Sequence, residues 1–121
     1  ADQVRLLSGD LLNPLREKVD VIVSNLPYLR TQDLTDLPNE VQREPASALD
    51  GGPDGLELIR RLLRQSPYHI RAGGCVILEI SPEQLDLVTN LAKKTFPTAH
   101  ISFSRDLLGF PRMVDIRLPR E

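Results

Sequence analysis

Asn25, Leu26, Pro27 and Tyr28 follow directly on a short apolar run, Val21-Ile22-Val23, and on Ser24. Together they offer a side-chain amide, backbone carbonyls and an aromatic face in one turn stiffened by proline. Such parts suit the holding of a planar amide or amine whose nitrogen is to be alkylated. An amide nitrogen is a poor nucleophile, because its lone pair is delocalised into the carbonyl. A site that methylates it must pin both N–H groups with acceptors and aim the nitrogen at the methyl carbon. The side-chain oxygen of Asn25 and the carbonyl of Leu26 are candidates for those acceptors, with Tyr28 packed against the planar group. Positioning of this kind lowers a barrier substantially without a general base. The product loses its proton to water afterwards. Asn and Pro are also ordinary turn residues. The buried strand before them and the long loop after them favour the functional reading.

These residues need a scaffold, and the hydrophobic pattern supplies one. Val19 to Ser24 reads as a buried parallel strand. In open α/β sheets the ligand site lies just beyond the carboxyl ends of such strands. Val4 to Ser8 reads as an earlier strand, closed by Gly9-Asp10. A carboxylate there can accept a hydrogen bond from an adenine amino group, although a plain Gly-Asp turn explains Asp10 equally well. Residues 29 to 55 hold no long element beyond a short helix over Thr31 to Leu37. A stretch of that length is usually functional or disordered, and its position favours a lid or substrate wall.

After Gly51-Gly52-Pro53-Asp54-Gly55, the spacing of Leu56, Ile59, Leu62 and Leu63 predicts a helix, with Arg60, Arg61 and Arg64 on its solvated face and Pro67 as its limit. Gly73-Gly74 turns the chain into a second buried strand, Cys75 to Ile80. Ser81-Pro82-Glu83 starts another helix, with Ser81 as cap and Pro82 at its first position. Leu85, Val88, Leu91 and Ala92 form its inner face. Ile101 and Phe103, then Val114, Ile116 and Leu118, alternate with polar residues, as strands of an antiparallel edge do.

The totals bound the remainder. A chain of 121 residues makes one domain. Its 40% apolar and 26% charged residues are those of an ordinary globular protein. A formal net charge of −2 provides no general attraction to nucleic acid or anionic membrane. No apolar run approaches ~18 residues. The single cysteine, Cys75, excludes an internal disulfide and a multi-cysteine metal site. It fits a reducing, cytoplasmic compartment and reads as a small buried hydrophobe. His69 and His100 read as boundary histidines and Glu79 as a solvated carboxylate. No metal site is expected. The chain begins without Met, and truncation of a larger protein is expected.

Ser24-Asn25-Leu26-Pro27-Tyr28-Leu29 resembles the S-N-P-P-Y-I segment of the release-factor glutamine N5-methyltransferases, the HemK/PrmC family. Glu40, Glu44-Pro45 and the run from Ala48 through Gly51-Gly52-Pro53-Asp54-Gly55 to Leu56 resemble that family's E-x-x-x-E-P-x-x-A-L-x-G-G-x-D-G-L pattern. Leu78-Glu79-Ile80 is similar to its L-E-I strand. The N-x-P-Y turn is shared by many amino-methyltransferases, whereas the second run is far more specific.

The resemblance covers nearly the whole chain. It implies an α/β fold: the C-terminal portion of a class I, Rossmann-like, S-adenosylmethionine-dependent methyltransferase sheet of order 3-2-1-4-5-7-6, with an antiparallel edge pair at the C-terminus. Residues 1–121 would form one partial domain, without the cofactor-loop half or the substrate domain. Its five strands would be the third to seventh of that sheet.

The implied reaction is methylation of the glutamine in the Gly-Gly-Gln loop of peptide-chain release factors. Asn25, Pro27 and Tyr28 would be catalytic, with Leu26 completing the substrate site. Asp10, Leu11 and Asn25 would border S-adenosylmethionine. The release factor is the expected partner, and neither membrane nor nucleic acid is expected. Leu26 stands where the family has proline, and Asn-Leu-Pro-Tyr also resembles the turn of RNA adenine dimethyltransferases. Gly109 to Arg112 departs from the family's G-x-x-R segment in its middle residues. Two alternatives therefore stand beside the glutamine reading: an adenine N6-methyltransferase, and an inactive methyltransferase-like interaction fragment. The chain alone is expected to be inactive, to bind cofactor weakly, and to self-associate or rearrange its sheet edge.

Overall fold

A computed structural model describes residues 3–25 and 55–120. Among them four strands form one sheet of order β1-β2-β4-β3. These are β1 (Val19–Ser24), β2 (Ile70–Glu79), β3 (His100–Arg105) and β4 (Pro111–Arg117). β1 and β2 are parallel, while β2–β4 and β3–β4 are antiparallel. This order and pairing match the 4-5-7-6 end of the sheet expected from the resemblance, with the antiparallel pair at the C-terminus.

Among the described residues, two helices complete the core. α1 (Glu57–Gln65) lies in the crossover from β1 to β2, and α2 (Leu85–Thr95) lies between β2 and β3. The helical spacing read from the sequence is the buried stripe: Leu56, Ile59, Leu62 and Leu63 from α1 and its cap, with Val88 and Ala92 from α2. They share one cluster with Ile22, Val76, Leu78, Val114 and Ile116 from the sheet. Leu85 and Leu91 pack at its margin. The period-2 pattern holds in β4, where Val114 and Ile116 are fully buried and Asp115 between them is not.

The helix ends follow their capping residues. α1 stops at Gln65, and a 3-10 turn over Ser66–Tyr68 carries Pro67. The second helical segment opens with a 3-10 turn over Pro82–Gln84, with Ser81 as cap and Pro82 at its start. Sequence spacing missed the other half of that cap: Gln84 completes a capping box with Ser81.

Three expectations are corrected. Val4 to Ser8 is not a strand; Val4, Leu6 and Leu7 are exposed, Leu6 at 94%. A strand exists only as part of a ladder, and no described strand lies beside this segment. The sheet therefore has four described strands rather than five.

The strand expected from Cys75 begins at Ile70 instead, and Gly73-Gly74 lie inside it. They occupy an irregularity: Val19 pairs with Ile70 but Val21 pairs with Cys75, so β2 carries three extra residues against β1. The glycines permit this. Gly73 has φ +79°, and a Cβ on Gly74 would lie 2.6 Å from the carbonyl oxygen of Asp20. Cys75 is thus mid-strand and half-buried.

The third correction concerns Arg61. It is half-buried and forms an ion pair with Asp10 rather than lying on a purely solvated face. The expected helix over Thr31 to Leu37 and the loop from residue 29 lie outside the described residues, up to Gly55.

Candidate active site

β1 delivers Asn25. The strand is held parallel to β2 from Val21↔Cys75 to Ser24↔Leu78, and Asn25 is exposed immediately beyond its last paired residue. Parallel pairing places the carboxyl ends of β1 and β2 together, at the position where open α/β sheets bind ligands. The Ser24 hydroxyl oxygen is buried beside Asn25 and has no hydrogen-bond partner among the described residues. Leu26, Pro27 and Tyr28 lie outside those residues.

The same end of the sheet gathers groups from later in the chain. Glu79 closes β2, half-buried and opposite Met113. Ile80 follows, its amide donating to the Arg112 carbonyl at 2.9 Å. Ser81 and Gln84 are buried just beyond it. The Gln84 side chain reaches Gly55, which precedes α1.

Asp10 and Leu11 are held elsewhere. The Asp10 carboxylate forms its ion pair with Arg61 of α1. The amide of Leu12 donates to Gln65 Oε1 at 2.8 Å, and that of Asn13 to the Asp10 carbonyl at 3.1 Å. Leu11 adopts φ +56°, an unusual conformation for a leucine. Gln65 ends α1 close to the start of β2, and Val19 donates to the His69 carbonyl there at 2.7 Å. The Leu12 anchor thus lies near the beginning of β1, whereas Asn25 lies beyond its end. The described hydrogen bonds and ion pairs do not link Asp10 to Asn25.

Other sequence candidates fall where ordinary structure explains them. His69 ends a 3-10 turn and His100 opens β3. Among the described residues no cluster of three or more His, Cys, Asp or Glu could hold a metal ion. No helix among them is long and apolar enough to cross a membrane. Sequence spacing also missed Asp106. It accepts from the amides of Leu108 and Phe110 at 2.9 and 3.0 Å and from Arg112 Nε at 2.9 Å. The Arg112 guanidinium, helped by those amides, holds its carboxyl below the usual value. Arg112 therefore closes the β3–β4 turn.

The Asn25 end offers an exposed amide and a buried hydroxyl with no partner among the described residues, which fit a small polar ligand. S-adenosylmethionine bound there would supply an electrophilic methyl group. The chain's own contribution at that end is the Asn25 amide, placed by a strand whose pairing fixes its position. The carboxylate of Asp10 is engaged by Arg61.

Comparison with known proteins gives a consistent result. No family model matches the chain. A release factor glutamine methyltransferase from Moorella thermoacetica is 48% identical over 94 residues, covering 77% of this chain and 33% of that protein. The protein of the same name from Synechocystis is 37% identical over 107 residues, covering 88% of this chain and 36% of the relative. That from Thermosynechococcus vestitus is 38% identical over 122 residues, covering 98% and 42%. The chain spans well under half the length of these curated relatives.

Proposed function

The chain belongs to the release factor glutamine methyltransferase family, corresponding to its C-terminal part, and we propose that the complete protein methylates a glutamine side chain on nitrogen. The methyl donor is S-adenosylmethionine, and the acceptor is the glutamine of the Gly-Gly-Gln loop of peptide-chain release factors in the cytoplasm. Asn25 orients the amide nitrogen, with Leu26, Pro27 and Tyr28 completing the glutamine site. Asp10 and Leu11 border the adenine in the complete protein, which requires Asp10 to leave its ion pair with Arg61 and its segment to move toward Asn25. Residues 1–121 are part of one catalytic domain and are inactive alone.

The observation that carries this reading is the position of Asn25. It is exposed beyond the carboxyl end of a strand paired in parallel, in a chain whose relatives bear that enzyme name. The side-chain oxygen of Asn25 accepts one N–H of the substrate amide. A second acceptor from the same turn takes the other and leaves the nitrogen facing the methyl carbon. No base is required before transfer, since the proton leaves to water once the methylated amide has formed.

The test offers the complete protein a labelled methyl donor with three acceptors: a release factor with an intact Gly-Gly-Gln loop, ribosomal RNA and duplex DNA. Label is expected in the release factor alone. Label in nucleic acid and none in the release factor would replace this reading with adenine N6 methylation. No label anywhere would favour the inactive interaction fragment.

A further inference from the structure

The tip of the β3–β4 hairpin is apolar and exposed. Leu107 is 106% exposed, Leu108 83% and Phe110 52%. Single apolar residues scattered on a surface are ordinary, whereas adjoining ones form a patch that marks a binding surface. The turn itself does not call for these side chains. Asp106 supplies its acceptor, and Gly109, at φ +89°, its left-handed position. Leu107, Leu108 and Phe110 belong neither to the core cluster nor to the residues packed against it.

The tip is also held in one shape. The Asp106 carboxylate takes the amides of Leu108 and Phe110 and the Arg112 guanidinium. The Gly109 amide donates to the Asp106 carbonyl at 3.0 Å, and the Asp106 amide to the Phe110 carbonyl at 2.8 Å. Arg105 Nη1 donates to the Gly109 carbonyl at 2.9 Å. A surface ordered before it meets a partner loses little freedom on binding.

Its place in the sheet says what it meets. Ser24 pairs with Leu78, and Leu78 with Val114. β4 runs antiparallel to β2, so from Val114 back to Phe110 the chain advances toward the end where Asn25 stands. Two strand spacings, about 10 Å, separate β1 from β4. Phe110 lies four residues beyond Val114 in that direction, at most about 14 Å further along. A protein–protein interface of about 800 Å² per partner is roughly 30 Å across. A protein that presents a side chain to Asn25 therefore reaches the hairpin tip as well.

We propose that Leu107, Leu108 and Phe110 are a docking surface for the body of the release factor, outside its Gly-Gly-Gln loop, where they enter an apolar depression of that protein. This rests on the glutamine methyltransferase reading. Phe110 is one of the middle residues by which Gly109 to Arg112 departs from the family's G-x-x-R segment, so part of this surface is the chain's own.

The test uses the complete methyltransferase and two double variants, Leu107→Ser with Leu108→Ser, and Leu107→Met with Leu108→Met. These side chains are exposed, so neither variant should change the melting temperature. The serine pair is expected to raise KM for the release factor, and its Kd by calorimetry, by about tenfold through lost apolar contact. Its kcat at saturating release factor should stay at the wild-type value, because the Asn25 end is untouched. The methionine pair keeps the apolar surface and should match wild type in both.

A serine pair with wild-type KM and Kd overturns the proposal. Dissociation of a wild-type oligomer by that pair, with KM unchanged, assigns the tip to a second copy instead. A lower melting temperature with loss of kcat assigns it to a contact within the protein's own fold. Both results also overturn the proposal. A wild-type protein that neither binds nor methylates the release factor sinks the functional reading and the docking surface together. Normal wild-type methylation with unchanged KM in the serine pair sinks the docking surface alone.

Discussion

Asn25 and Gly74 place opposite demands on a single side chain. Asn25 is exposed, so its replacement should leave the fold intact and act on chemistry alone. In the complete protein, Asn25→Ala should lower kcat by about a hundredfold with little change in KM, because an aligned contact made in the transition state is lost. Steady-state kinetics with the release factor would measure this, and near-normal kcat would remove the role assigned to the amide. Gly74 is the reverse case. A Cβ there would lie 2.6 Å from the Asp20 carbonyl oxygen and 2.9 Å from that of Arg71, and backbone does not give way easily. Gly74→Ala should therefore destabilise the chain by about 1–3 kcal/mol, read from denaturant unfolding. An unchanged midpoint would mean that the irregularity in β2 relaxes freely.

The β3–β4 hairpin depends on one carboxylate. Asp106 collects two amides and the Arg112 guanidinium, while its own amide donates to the Phe110 carbonyl at 2.8 Å. Its pKa is lowered below the ordinary 3.8, first by the bond from Arg112 and then by the Phe110 amide. A depressed carboxylate pKa stabilises the folded state above the ordinary value, and that contribution is lost as pH falls through the lower, folded one. Exchange of the Leu108 and Phe110 amides should therefore be slow, relative to the intrinsic rate, above pH 3.8 and lose its protection in more acid solution. In Asp106→Asn the same amides should show protection without this acid transition. An acid transition that persists in Asp106→Asn would assign it to another group.

The sheet has two unequal margins. β3 presents His100, Ser102, Ser104 and Arg105, polar residues that discourage further pairing. At the other margin, β1 pairs only with β2 among the described residues, and Val21 and Val23 are exposed, Val23 at 70%. They lie on the face opposite the helices, with Cys75 and Ile77 half-buried beside them. An apolar strand with an open ladder invites a partner. The 121-residue chain should self-associate in solution, and Val23→Lys should shift it toward monomer. Sedimentation over a wide concentration range is the check; a concentration-independent wild-type monomer would contradict the prediction.

What was legible in the sequence was local or periodic. The apolar stripe of α1, the alternation in β4, the cap at Ser81-Pro82 and the strand β1 each follow from spacing, because one face of every such element must leave water; the burial expected along all of β1 holds only at Ile22, with Val21 and Val23 exposed. The position of Asn25 just beyond β1 follows from the same run. Only tertiary structure decided the remainder. Val4 to Ser8 has strand-like residues, but a strand also needs a neighbour to bond with, and that requirement lies outside the segment's own sequence. Gly73-Gly74 read as a turn because glycine pairs usually mark one. Hydrogen bonding to the chain after β4 keeps them within β2, through Gly73 to Pro119 and Leu118 to Gly74 at 2.9 Å each. The partners of Asp10, Gln84 and Asp106 were likewise hidden. A hydrogen bond between Gln84 and Gly55, or an ion pair between Asp10 and Arg61, joins residues that no periodicity relates, and it exists only once the core has brought two elements together.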